Sequence, residues 1–242
     1  MTKKVLVSQH IEIEDLAFLK KLFIDTSFNL TVIKFFESNI TIPNLKDFDL
    51  MIVLGGPMDT WMEKEYPWLK KEKEIIKKFV FELNKPFLGL CLGCQLLGEI
   101  LGAKIKKSKC PEIGFIDVNL SKIGLYDNLF FNFPKKFKAF HWHSYEVTNL
   151  SKISQIKVLG SSKITPVQIF KFNSHAYGIQ FHLEIERNTI SKWLSNKIYK
   201  KGLIDHFGER KIKELKVKQK KYIKSINKLC ETMFQNLQKI LG

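Results

Sequence analysis

The residues best placed to do chemistry in this 242-residue chain lie in two short stretches. The first, PFLGLCLGCQLLGEILGA at 86–103, sets Cys91 between Gly89 and Gly93. A short apolar run ends at the cysteine and a helical pattern follows. Small residues two positions to either side let a buried strand turn sharply into a helix, as in the Gly-x-Ser-x-Gly elbow of serine hydrolases. Such a turn presents the sulfur at the C-terminal edge of a sheet. It also aims the first helix N–H groups at the sulfur, which favours the reactive thiolate. A lone cysteine would read as a buried packing residue; the glycine frame argues otherwise. Cys94 completes a C-x-x-C pair, but no second pair exists to build a zinc site, and a redox pair does not need this frame.

A cysteine nucleophile needs a base, and the base needs a third group to fix its tautomer. The second stretch, YGIQFHLE at 177–184, supplies both. A strand delivers His182 at its end, and Glu184, two residues on, points the same way if the backbone stays extended. His143, in FHWHSYE at 140–146, is the alternative base; the carboxylate downstream of His182 favours the latter. His10, His141, His175 and His206 complete the histidines. Gly55-Gly56-Pro57 follows another apolar run, and glycine lets backbone N–H groups approach a ligand. With the N–H of Leu92, this loop would make a two-donor oxyanion hole.

The elements that must position these residues alternate. Strands are expected at Lys3–Ser8, Leu30–Phe35, Phe48–Leu54 and Phe87–Leu90, with helices over 13–23, 66–83 and 94–101. Alternation of buried apolar strands with helices argues for a parallel sheet covered on both faces. From Gly114 the pattern changes to short strand candidates at 116–120, 138–139, 156–159, 166–172 and 176–181, then a helix over 189–199. Apolar residues from Ile212 to Ile240 recur at helical spacing and mark a long amphipathic helix. The expected organisation is a domain at 1–196 and a basic helical extension at 197–242.

The net charge of +16 is uneven: residues 197–242 hold 13 Lys/Arg against 4 Asp/Glu. A lysine-rich solvated face explains this, with partner docking or self-association through the helix as the sharper reading. Nucleic acid is not expected, because interleaved aromatics within 212–242 are limited to Tyr222 and Phe234. No apolar run reaches membrane-spanning length. No cleavable leader pattern is evident, and the four irregularly spaced cysteines do not read as a disulfide framework. A cytoplasmic setting is expected.

These stretches resemble a known family. GLCLGCQ at 89–95 resembles the G-x-C-x-G-x-Q signature of class I glutamine amidotransferases, GIQFHLE at 178–184 their G-x-Q-F-H-P-E signature, and Gly55-Gly56-Pro57 their oxyanion loop. GGPMDTWMEKEYPWLKKE, EIG at 112–114, FHWHSYEV and TPVQIF resemble the stand-alone branch similar to the amidotransferase domain of GMP synthase, which also holds plant γ-glutamyl peptidases. The resemblance implies a flavodoxin-like α/β sandwich of three layers with a mostly parallel central sheet. It implies Cys91 as nucleophile, His182 as base, Glu184 as orienter, and Gly56 and Leu92 as oxyanion donors. Gln95 and the segment His143-Ser144-Tyr145 would hold the glutamyl moiety. Neither metal nor cofactor is expected.

The implied reaction is hydrolysis of a γ-glutamyl amide, in glutamine or another γ-glutamyl compound, through a thioester. The alternatives are a glutaminase subunit that passes ammonia to a separate synthase, and a catalytically silent binding module. No G-x-x-x-x-G-K-[ST] loop supplies an ATP site. Two departures from the family pattern stand out: Leu183 replaces the usual Pro between His and Glu, and Ser144-Tyr145 replaces Gly-Asp, which bears on substrate choice.

Overall fold

The computed structural model describes residues 2–150 and 153–242. Its strands are β1 (Lys3–Gln9), β2 (Phe28–Lys34), β3 (Leu50–Val53), β4 (Phe87–Leu90), β5 (Lys104–Leu120), β6 (Lys136–Thr148), β7 (Ile156–Ser161), β8 (Ile169–Phe172) and β9 (Ala176–Ile179). They form one sheet in the order β2-β1-β3-β4-β9-β8-β7-β5-β6. The first five in that order run parallel. The remaining pairings are antiparallel, so the sheet is mixed.

Helices cover both faces. They are α1 (Ala17–Ile24), α2 (Trp68–Lys77), α3 (Leu92–Ile100), the single turn α4 (Lys122–Leu125), α5 (Thr189–Leu194), α6 (Lys197–Phe207) and α7 (Arg210–Leu241). Successive strand residues point to opposite faces. Val5, Val7, Ile52, Leu88 and Leu90 therefore join a core that includes Leu19 and Phe23 of α1 and Ile223, Ile226 and Met233 of α7. Leu6, Met51, Val53 and Phe87 face the other way, onto Leu69 and Ile76 of α2 and Leu96 and Leu97 of α3. Burial on both faces is why these strands read as continuous apolar runs.

Several boundaries differ from the sequence expectation. The expected fragments at 116–120 and 138–139 belong to the long strands β5 and β6, and His141 and His143 lie inside β6. Lysines along β5 hide its strand character, and a register shift between Lys107 and Glu112 breaks its alternation. The expected helix over 189–199 is two helices, because Asn196 caps α6 by accepting from the N–H groups of Ile198 and Tyr199. Helix α1 starts only at Ala17, after a turn in which Glu14 and Leu16 are buried. Helix α2 gives way at Lys78 to a π-helical turn that ends at Glu82.

Candidate active site

Cys91 occupies the turn between β4 and α3 with φ 50° and ψ −101°. A non-glycine residue there is strained and persists only where its surroundings dictate it. They do: the Cys91 N–H donates to Ile179 O (2.8 Å), Gly93 N–H to Leu54 O (3.2 Å), and Gln95 N–H to Cys91 O (3.1 Å). The flanking glycines are required by close approach. A Cβ on Gly89 would collide with Gly93 O, and one on Gly93 would collide with Val53 O. Cys94 packs below, fully buried, and burial pushes its thiol well above the usual range.

Strand β9 ends at Ile179, and the chain carries on past Gln180 to His182, whose N–H and C=O both bond Phe140 of β6 (2.8 and 3.2 Å). This pairing fixes the ring's origin. Glu184 then places Oε1 2.6 Å from His182 Nδ1, a charge-assisted contact in which the ring donates. The edge of Trp193 closes on the imidazole at 4.9 Å between centroids. Burial opposes a charged ring here, but Glu184 and Cys91 outweigh it and hold His182 well above the ordinary histidine range. With Nδ1 taken, Nε2 is the nitrogen left for sulfur. Among the described residues it has no hydrogen-bond partner that meets ordinary geometry.

A cavity of about 220 Å³ opens over the sulfur. It is lined by Gly56, Leu92, Gln95, His143, Ser144 and Tyr145, and also by Ile198, Tyr199 and Gly202 of α6. Every expected site residue except His182 and Glu184 thus lines this cavity. Leu92 opens α3, where an N–H has no helical acceptor. The Gln95 amide donates to Tyr145 O (3.2 Å) and Gln180 Oε1 (3.3 Å), which braces the 142–145 segment. Gln180 Nε2 lies 3.7 Å from the Cys91 sulfur.

His143 is held elsewhere. Its Nδ1 bonds Tyr145 O (3.1 Å) and its Nε2 lies 3.3 Å from Glu112, which faces it across the β5–β6 ladder. Ser162 Oγ and Gln168 Nε2 donate to the two Glu112 oxygens, each at 2.6 Å. Burial alone would raise the Glu112 pKa, but hydrogen bonds from His143 and Ser162 and the His141 and His143 rings bring it down to about 2. Ligand atoms of Glu112, His141 and His143 lie within 4.8 Å of one another, a spacing compatible with a metal. Ser162 and Gln168 engage the two carboxylate oxygens, while the buried His141 Nε2 has no hydrogen-bond partner among the described residues.

Local reading of the sequence misses three neighbours. His10, at the end of β1, bonds Gly55 O through Nδ1 (2.7 Å) and Glu72 through Nε2 (3.0 Å). Acceptors on both sides call for a doubly protonated ring: burial disfavours that charge, yet Glu72 outweighs it and raises the pKa. A trans peptide directs its C=O and N–H oppositely. By pulling the Gly55 carbonyl one way, His10 sends the Gly56 N–H the other way. Glu14 and Tyr199, the other two, meet beside His182. Their partners are far off in sequence, so no local spacing announces them.

The family model for glutamine amidotransferase class-I matches residues 17–201. The chain is 30% identical over 203 residues to the glutamine amidotransferase-like protein YfeJ of Salmonella typhimurium, covering 82% of this chain and 77% of that protein. It is 31% identical over 147 residues to the A subunit of the glutamine-hydrolyzing GMP synthase of Sulfolobus acidocaldarius, covering 60% of this chain and 72% of that one. A crystal structure of a glutamine amidotransferase from Thermotoga maritima superposes with a TM-score of 0.86 at 26% identity, over 100% of this chain and 99% of that one. No helix among the described residues is long and apolar enough to cross a membrane. On sequence and fold together, the chain belongs to the class I glutamine amidotransferase family.

Proposed function

We propose that this protein hydrolyses a γ-glutamyl amide bond, in glutamine or a small γ-glutamyl compound, through a thioester on Cys91. The observation that carries the reading is the 2.6 Å His182–Glu184 contact, with the His182 ring coupled to a strained cysteine that opens into a cavity. The sulfur adds to the γ-carbonyl carbon. The N–H groups of Gly56 and Leu92 receive the oxyanion, a contribution of about 3 kcal/mol per donor. His182, charged with Glu184 behind it, gives its proton to the leaving amine as the carbon–nitrogen bond breaks. The neutral ring then takes a proton from water, which attacks the thioester and frees glutamate and the thiol. The 143–145 segment and Gln95 shape the wall that meets the glutamyl group.

Likeness to the glutamine-hydrolyzing GMP synthase of Sulfolobus acidocaldarius favours a second reading, in which the amine released is ammonia destined for a separate synthase. Against this, α6 walls the cavity of the isolated chain, which suits a site complete without a partner. A substrate screen separates the two readings. Glutamine, γ-glutamyl amides and γ-glutamyl peptides are compared, with Cys91→Ser as the blank. Partner-free turnover of γ-glutamyl compounds supports the hydrolase, while weak glutaminase activity that rises when a synthase is added supports ammonia delivery. No turnover by either route would leave the silent binding module. Four free cysteines suit a reducing, cytoplasmic setting.

A further inference from the structure

The scheme above leaves one buried acid beside the imidazole unused. Glu14 lies in the turn after β1 and is 5% exposed. Its Oε2 and His182 Cε1 crowd the same point above Gly55, where a side chain would begin. A Cβ at residue 55 would collide with the acid's oxygen and lie 3.3 Å from the ring carbon, so a side chain there would press on both. The other carboxyl oxygen, Oε1, accepts from the Tyr199 hydroxyl, which α6 brings in from the C-terminal helices.

The charged and titratable groups around Glu14 are few. His10 faces it from the end of β1, with Glu72 of α2 behind His10. His182 and Glu184 face it from the segment after β9, and Tyr199 faces it from α6. Burial raises the Glu14 pKa to about 7, with Glu184 adding to the rise while His182 and His10 oppose it.

We infer that Glu14 is a positioning residue for His182, a second carboxyl that steadies the imidazolium through its Cε1 side, and that Tyr199 makes this support depend on the docked C-terminal helices. An ionised Glu14 favours the charged ring by Coulomb attraction at short range in a dry site. The Tyr199 hydroxyl favours the ionised acid by donating to it. The catalytic ring is thereby buttressed by two carboxyls, one through Nδ1 and one past Cε1, and the second is wired to a helix far away in the chain. The inference rests on the proposed pairing of Cys91 with His182.

The test is an NMR titration of the His182 Cε1–H resonance in wild type, Glu14→Gln, Tyr199→Phe and the double variant. Loss of the Glu14 charge should lower the His182 midpoint by on the order of one pH unit. Tyr199→Phe should shift it in the same direction by less, and should add nothing in the Glu14→Gln background. It also keeps the test usable if Glu14→Gln does not fold. Midpoints within about 0.2 pH unit of wild type in every folded variant would overturn the inference, given that one pH unit is the scale expected. So would a Tyr199→Phe effect that persists undiminished without Glu14. The readout needs no substrate, so failure of γ-glutamyl turnover would be recognised separately.

Discussion

Glu184 meets His182 through a single short contact, and its other oxygen has no partner among the described residues. Nearly all of its influence therefore passes through Nδ1. Glu184→Gln should lower kcat by about 10²- to 10⁴-fold, the range seen when a base loses its orienting acid, while KM changes by no more than about threefold. The pH profile carries a sign as well. Glu184 is a leading cause of the raised His182 pKa, so the charged ring survives to higher pH in wild type than an ordinary histidine would. In the Gln variant the ring should lose its proton at lower pH, and the alkaline limb of kcat/KM should move down. A limb that stays in place would mean that another group sets it.

The elbow and the cavity wall make separate demands at the level of strands and helices. Gly93→Ala would drive a methyl into the Val53 carbonyl on the neighbouring strand β3, and backbone on both sides cannot yield. The expected loss is at the upper end of about 1–3 kcal/mol, a Tm fall of several degrees, with activity lost more completely than stability. Across β5 and β6, Glu112→Gln should cost roughly 2–4 kcal/mol, because charge-assisted bonds from Ser162, Gln168 and His143 weaken together. The Glu112 pKa is depressed from 4.5 to about 2, so its contribution is complete above pH 4.5 and fades as pH falls towards 2. Wild type and variant should therefore converge in acid melts. The parallel strands and the elbow were legible because their signals are local: apolar runs, and glycines two places either side of Cys91. The polar strand β5 was not, because it is lysine-rich and irregular. His10, Glu14 and Tyr199 were not, because their meaning lies in contacts 45 to 185 residues away.

The whole molecule reveals what the C-terminal helices do for the site. Helix α7 carries most of the tail's lysines outward and buries Leu215, Ile223, Ile226 and Met233 in the common core. It also holds the loop beyond Glu184: Asn227 Nδ2 donates to Ile185 O (2.8 Å) and Gln219 Nε2 to Glu186 O (2.6 Å). Replacing both side chains with alanine should cost about 1–3 kcal/mol and lower kcat roughly tenfold, since the carboxylate is then less firmly aimed. Thermal melts and steady-state kinetics on the same samples check this; unchanged kcat with lowered stability would reduce the helix to a packing element. The central claim, a covalent γ-glutamyl group on Cys91, is tested most directly by acid-quenched intact mass spectrometry during turnover of glutamine or a γ-glutamyl amide. One glutamyl adduct mapping to Cys91, absent in Cys91→Ser and discharged by hydroxylamine as the hydroxamate, is the predicted result. Turnover that continues in Cys91→Ser would contradict it.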